Sequence, residues 1–474
     1  MLFYTFLGFI RPALAVILLP IYLSVFSKNE WAIYSLMLVV GNFSMIILTW
    51  RINAAMLTKY FDYYHDRNTL RRYLRSIFSA SIVIGVIMIV LSYFIGPLIF
   101  DLIFKSEEIL FFPYGFTILI YAVLSEINIS YFIFLKNERN LRKYALVVIT
   151  QVLLVIFLQF LLIVVLKEGV QGAVLGMLLA NVITFIMILF LEKDIITFRP
   201  DMQMVRKSLV FSIPLIPYLM IYWFMTKGER IFIEQFMDLA SVGTYILLVT
   251  FTGVTVLFIE ATINGVRPFL FELFTRNARD DNKAIQLLTR LIVNTPLLAL
   301  PLVIFVGSNI NLITTNKDYY EIIPFVSFAA VVAYTLVYGK MFYQHLVYRK
   351  KSFMVTALSF ISLVVFVFAL IKLVPWLGVS GVLWSVLIVN IVFGVLFYIA
   401  GQKAIYVDYN YKDILGIPLV CVGLIFLVEY LCIHNGMSYG LYGLVQFFVV
   451  TSVVFLLNRS SISEYRHIFM NSKS

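Results

Sequence analysis

The chain has 474 residues with 36 Lys and Arg against 25 Asp and Glu, a net charge of +11, yet only 13% of its residues are charged and 62% are hydrophobic. Soluble domains carry about 25% charged residues, so this composition excludes an ordinary soluble enzyme and places the chain in a bilayer. At about 20 to 25 residues per span, this length holds about 12 to 15 transmembrane helices, with no room for an appended soluble domain.

Apolar windows of membrane length fall at 2–26, 31–57, 77–104, 109–135, 144–166, 170–191, 209–237, 241–271, 287–314, 319–345, 353–374, 379–400, 414–433 and 439–457. The expected fold is therefore all-α, a polytopic membrane protein of about 14 transmembrane helices. No small-residue cleavage site follows the first window, which reads as a retained helix rather than a signal peptide. The loops alternate in charge. Segments 58–76, 136–143, 192–208, 272–290, 346–352, 401–413 and 458–474 hold 25 of the 36 bases, whereas the opposite side holds Lys28, Lys105, Lys167, Lys317 and Lys372. This is the positive-inside pattern, so both termini are expected in the cytoplasm. The charge is thereby explained without nucleic acid as a partner. Two tracts, Lys59–Arg75 and Arg276–Arg290, read as helix extensions or surface helices whose bases meet lipid phosphate.

An internal repeat is visible. Gly169-Val170-Gln171-Gly172 precedes Asn181, and Gly378-Val379-Ser380-Gly381 precedes Asn390, with a spacing of 12 in both copies and an offset of 209. Trp31-Ala32-Ile33-Tyr34 and Val242-Gly243-Thr244-Tyr245 correspond at an offset of 211. Duplication of a six-helix unit follows. Six is even, so both copies enter the membrane in one direction and are expected to be related by an axis along the membrane normal. The expected organisation is an N-terminal lobe at 1–192, a C-terminal lobe at 205–402, a cavity flanked by the two, and two peripheral helices at 411–458. The Gly and Asn residues read as helix-packing groups.

Charges set well into the windows are the candidate functional residues, because a mid-membrane charge costs about 2.5–3.5 kcal/mol on insertion scales. The bases are Arg11, Arg51, Lys227, Arg230, Arg267 and Lys340, and the acids are Glu126, Glu229, Glu260 and Glu429. Bases from both copies, converging on one cavity, would form a chamber suited to an anionic headgroup. The competing reading is snorkelling to lipid phosphate. Glu229 and Arg230 are adjacent, point about 100° apart on a helix and need not pair. Glu126 lies in a polar stripe, Ser125-Glu126-Asn128-Ser130, that either lines water or joins helices. His65, His345, His434 and His467 are scattered without metal-ligand spacing, and Cys421 and Cys432 carry no ligand or disulfide pattern. No phosphate-cradling Gly-rich loop is present. No catalytic residues, metal site or cofactor are expected.

Several stretches carry a family resemblance: Leu19-Pro20-Ile21-Tyr22 followed by Asn29-Glu30-Trp31-Ala32-Ile33-Tyr34-Ser35, Lys59-Tyr60-Phe61, Lys136-Asn137-Glu138-Arg139, and Gly228-Glu229-Arg230-Ile231 followed by Val242-Gly243-Thr244-Tyr245. With these the chain resembles the polysaccharide flippases, the O-antigen or capsule repeat-unit translocases, of the multidrug/oligosaccharidyl-lipid/polysaccharide exporter superfamily. It departs from the usual pattern at Ala32, where Gly is common, and at Glu229, where Asp is common. The resemblance implies a non-enzymatic, alternating-access flippase in the bacterial cytoplasmic membrane. Its cargo would be a polyprenyl-diphosphate-linked oligosaccharide for O-antigen, capsule or exopolysaccharide, handed on to polysaccharide polymerase machinery. On this reading Arg11, Arg51, Lys227, Arg230, Arg267 and Lys340 attract the cargo. Glu126 or Glu260 carries a coupling H⁺ or Na⁺ or gates the lobes. The rival reading is a cation-coupled small-molecule or drug antiporter of the same superfamily, a class that needs an excess of acidic cavity residues.

Overall fold

The computed structural model describes residues 14, 17–63, 65–193, 195, 199–276 and 282–471. Among them, 13 helices are long and apolar enough to cross a bilayer, and they answer one for one to windows two to fourteen. The first window is helical over 17–25 and otherwise lies largely outside the described residues. Helices prevail because hydrocarbon offers backbone amides no partner, and an α-helix satisfies them within its own segment.

The chain divides into two compact units, 1–243 and 244–474. In the first, Ser27 starts the helix Lys28–Leu48 with a capping box: its hydroxyl accepts from the Glu30 amide while the Glu30 carboxylate accepts from the Ser27 amide. The sequence window runs on to residue 57, but the helix stops at Leu48, and Trp50 and Arg51 take left-handed conformations with φ of 49° and 47°. That break turns the Arg51 side chain out of the helix register. The seventh span, Met202–Lys227, also packs in this unit, with Trp223 against Val39 and Ile46 beside Phe43 and Phe224. The short helix Glu229–Phe236 that follows is held by its end: the Glu234 carboxylate accepts from the amides of Lys105 and Ser106 at 2.7 to 3.1 Å.

In the second unit the last helix, Tyr439–Asn471, packs on the ninth span, Asn282–Ser308. Gly440 and Gly443 let it approach Asn309. The Arg290 guanidinium donates to the Leu457 carbonyl at 2.7 Å, and Asn294 donates to Asn458 at 3.0 Å. His345 is buried, with its Nε2 2.9 Å from the Tyr409 hydroxyl.

The repeat seen in the sequence is rebuilt in side-chain detail. Gly169 and Gly378 both have positive φ, 54° and 57°, at the entrance to a span. Beyond them Gly172 and Gly381 each face the backbone of the preceding helix, at Leu162 and Leu373. Asn181 accepts from Asn128 at 3.1 Å, and Asn390 donates to the Val332 carbonyl at 3.1 Å. In both units the twelfth residue after the glycine thus ties the sixth helix of the copy to the fourth. Arg139 and Lys350 supply left-handed residues to corresponding connections, and Ser27 and Asp238 cap corresponding helices. The polar stripe on Phe116–Asn137 accordingly joins helices at Asn128.

Outward faces are apolar. Val83, Val86, Val90, Phe94, Leu98 and Leu102 form an exposed row along Arg67–Ile103, which is stable only where lipid replaces water. Close packing at the small residues gives a direct test. A Cβ at Gly381 would stand 2.2 Å from the Leu373 carbonyl oxygen, whereas one at Gly423 meets nothing within 4 Å. Gly381→Ala should therefore lower stability by about 1–3 kcal/mol, and Gly423→Ala should be neutral or stabilising by up to about 1 kcal/mol. Thermal unfolding in detergent distinguishes the two.

Candidate functional site

The charges within the spans sort into two kinds. Arg51 and Glu126 form an ion pair, the Arg51 guanidinium donating to Glu126 Oε1 at 2.7 Å with the Glu126 side chain only 2% exposed. The helix break at Thr49–Arg51 and the register of Phe116–Asn137 create the contact. In the second unit Glu260 accepts from the Lys340 ammonium. Glu260 stands 209 residues after Arg51, the same offset as the glycine repeat. Both pairs therefore join the second segment of a copy to its fourth helix, from just past the helix end at Arg51 and from within the helix at Glu260, with the signs exchanged: base to acid in the first unit, acid to base in the second. Sequence reading named all four residues and placed them in separate roles. Their partnership depends on side-chain reach between helices, which periodicity does not encode.

The second kind is cationic excess. Lys227 makes no hydrogen bond or ion pair among the described residues and lies in the field of Arg230 and Glu229. Arg230 Nε is 3.8 Å from Glu229 Oε1, an ion-pair distance too long for a hydrogen bond, with the Arg230 side chain 14% exposed. The two neighbours in sequence thus do meet, loosely, although their helical directions diverge. Two bases share that buried carboxylate within four residues, across the junction of two helices at Gly228. In the second unit Arg267 Nε donates to the Gln344 side chain at 2.9 Å, and Arg267 makes no ion pair within 4 Å among the described residues. Gln344 is fixed in turn by donating to the Lys340 carbonyl at 3.0 Å. Arg11 lies outside the described residues.

Glu234 was not singled out by sequence, being close to a window end, yet it is 2% exposed and takes the two amides that follow the helix Arg67–Ile103. Nearby, outside the spans, the Ser241 hydroxyl and then its amide hold the Asp238 carboxyl below the usual carboxylate range. A cavity of about 330 Å³ opens here, with Lys105, Glu108, Glu234 and Asp238 in its wall.

This helical architecture defines a multi-pass membrane protein with a transporter fold. The chain matches over 98% of its length, and over 100% of the other chain, a lipid II flippase MurJ in an inward closed conformation, at TM-score 0.67 and 15% identity. An inward-facing multidrug resistance MATE family transporter of the MOP superfamily matches at TM-score 0.70 and 15% identity, over 83% of this chain and 94% of that one. An outward-facing MATE family transporter matches at TM-score 0.57 and 16% identity, over 84% and 92%. No curated protein matches by sequence. The family model described as polysaccharide biosynthesis protein matches residues 25–316, well over half of the chain, and the chain belongs to that family. The fold and the family expected from the sequence resemblance are both found.

The two ion pairs differ in shielding, which sets their energetics. Removing one partner of a buried pair strands a charge and costs about 3 kcal/mol or more, whereas an accessible pair contributes about 1 kcal/mol or less. Glu126 is 2% exposed and Glu260 46%. Arg51→Ala should thus destabilise the protein severely, and Arg51→Met with Glu126→Met should recover most of the loss. Lys340→Met should shift unfolding only slightly. Melting temperatures of the four purified proteins check this ranking.

Proposed function

We propose that the protein is a flippase. It moves polyprenyl-diphosphate-linked oligosaccharide repeat units from the cytoplasmic to the outer leaflet of a bacterial cytoplasmic membrane, by alternating access, with both termini in the cytoplasm. The cargo serves O-antigen, capsule or exopolysaccharide assembly and passes to polysaccharide polymerase machinery. The observation that carries the reading is the cationic excess inside the spans: Lys227, Arg230 and Arg267 set against Glu229 among the described residues. A base in hydrocarbon without a full counter-charge is costly unless an anion visits it, and a diphosphate is such an anion. Guanidinium groups suit it because their planar donor fork matches phosphate oxygens.

The paired bases have a different role in this proposal. Arg51 and Lys340 are already neutralised, so they bind cargo only if their carboxylates are protonated or displaced. That links cargo binding to a coupling ion. Glu260, half exposed beside Lys340, is the more accessible acceptor for H⁺ or Na⁺, and Glu126 is the locked counterpart. The membership in a polysaccharide biosynthesis family supports a glycan cargo over a drug. The match to MurJ across 98% of the chain supports a role for the last two spans that a twelve-helix antiporter lacks.

Deletion of the gene should abolish surface polysaccharide and leave lipid-linked repeat units in the inner leaflet. A copy carrying Lys227→Gln and Arg267→Gln should restore export at least tenfold less well than the wild type at equal membrane abundance. Drug sensitivity without glycan loss would instead establish the antiporter. Glu260→Gln should abolish the dependence of export on pH or Na⁺ while Glu429→Gln preserves it, as measured in inverted vesicles.

A further inference from the structure

The helix Arg67–Ile103 has 37 residues, about 55 Å at 1.5 Å per residue, against a hydrocarbon core of about 30 Å. Its polar first turns therefore stand outside the hydrocarbon, at the depth of lipid headgroups. There the structure holds a cavity of about 380 Å³ lined by Asn68, Arg71, Arg72, Arg75, Ser76 and Arg199. All six are polar, and four are arginines.

The cluster is built rather than incidental. Three guanidiniums come from one helix, with Arg71 and Arg75 on the same face at a four-residue spacing, where like charges destabilise a helix by a few tenths of a kcal/mol. Arg199 arrives from the connection between the sixth and seventh spans. It is positioned by a fixed tie two residues on: the Asp201 amide donates to the buried Ser76 hydroxyl at 2.8 Å. Among the described residues two carboxylates are near, and both lie in the field of Arg72 while also accepting from local donors. Asp201 lies 3.8 Å from Arg72 while its oxygen caps the amides of Gln203 and Met204. Asp66 accepts from the Thr69 hydroxyl and the Asn68 amide, which in that order hold its carboxyl below the usual range. Arg71 has no hydrogen bond or ion pair among the described residues, so its five N–H donors are available to a visitor.

We infer that this pocket binds a lipid-borne phosphate ester at the membrane surface. Convergent guanidiniums in a mainly polar wall recognise phosphate oxygens in paired, charge-assisted hydrogen bonds, and such a wall suits a charged headgroup better than an acyl chain. The same chemistry is presented by an anionic phospholipid and by a polyprenyl diphosphate, and the site is separate from the cationic residues within the spans.

The test uses full-length protein in phosphatidylcholine nanodiscs doped with phosphatidylglycerol or with polyprenyl diphosphate, and in undoped discs titrated with inorganic pyrophosphate. Bound ligand is measured by native mass spectrometry. Arg71→Gln with Arg199→Gln should weaken binding of at least one doped lipid tenfold or more, while Lys350→Gln with Lys351→Gln, exposed bases elsewhere, leaves it within twofold. Which lipid responds identifies the source. If the arginine variant tracks the lysine variant for both lipids, or if pyrophosphate alone responds, the inference fails. Arg71→Gln by itself, whose melting temperature should equal that of the wild type, separates loss of binding from loss of fold. Because no transport is measured, this result stands or falls independently of the flippase reading.

Discussion

Inside a bilayer nothing but the protein, or a wetted surface of it, satisfies a polar group. That constraint organises every level of this chain. It makes the spans helical, sends the apolar row of Arg67–Ile103 outward, and makes each ionisable residue a problem to be solved locally. Three solutions coexist. Arg51 and Glu126 neutralise one another in a buried pair; Glu260 and Lys340 do so in a more open one; Lys227, Arg230 and Arg267 are left with less negative charge than they need.

The exchange of sign between the two pairs is informative about the repeat. Duplicated units usually retain the helix contacts that fold them, and here each copy's Asn ties its sixth helix to the fourth through different partner atoms. The ion pair is kept as a connection between equivalent helices while its polarity is reversed. Packing tolerates either orientation, because a salt bridge contributes the same attraction from either end. Transport need not: an accessible carboxylate and an accessible guanidinium respond differently to protons and to anions. The two carboxylates differ in exposure, 2% for Glu126 and 46% for Glu260.

Basic residues in this chain thus do three jobs that composition merges. Most lie in the loops between spans. A few within the spans are paired or left in excess. Four of the loop bases, Arg71, Arg72, Arg75 and Arg199, gather at one concave place at headgroup depth. The first two groups are separable by position along the chain. The third is not, because Arg199 is more than a hundred residues from the others in sequence and reaches them through the Asp201–Ser76 tie.

Hydrophobic windows, loop charge and the glycine repeat determined, by themselves, the all-helical class, the spans and the duplicated plan, because span length and charge bias are one-dimensional properties of a chain in a bilayer. The family resemblance was likewise carried by short linear motifs. Only tertiary structure decided that Arg51 meets Glu126 and Lys340 meets Glu260, that the helix after Lys28 stops at Leu48 with Arg51 left-handed, and that Glu234 fastens the amides after Ile103. Each of these depends on where a side chain ends after the backbone has turned, a distance of a few ångströms set by helices far apart in sequence. Periodicity reports which face of a helix is apolar, and it is silent on which partner stands opposite.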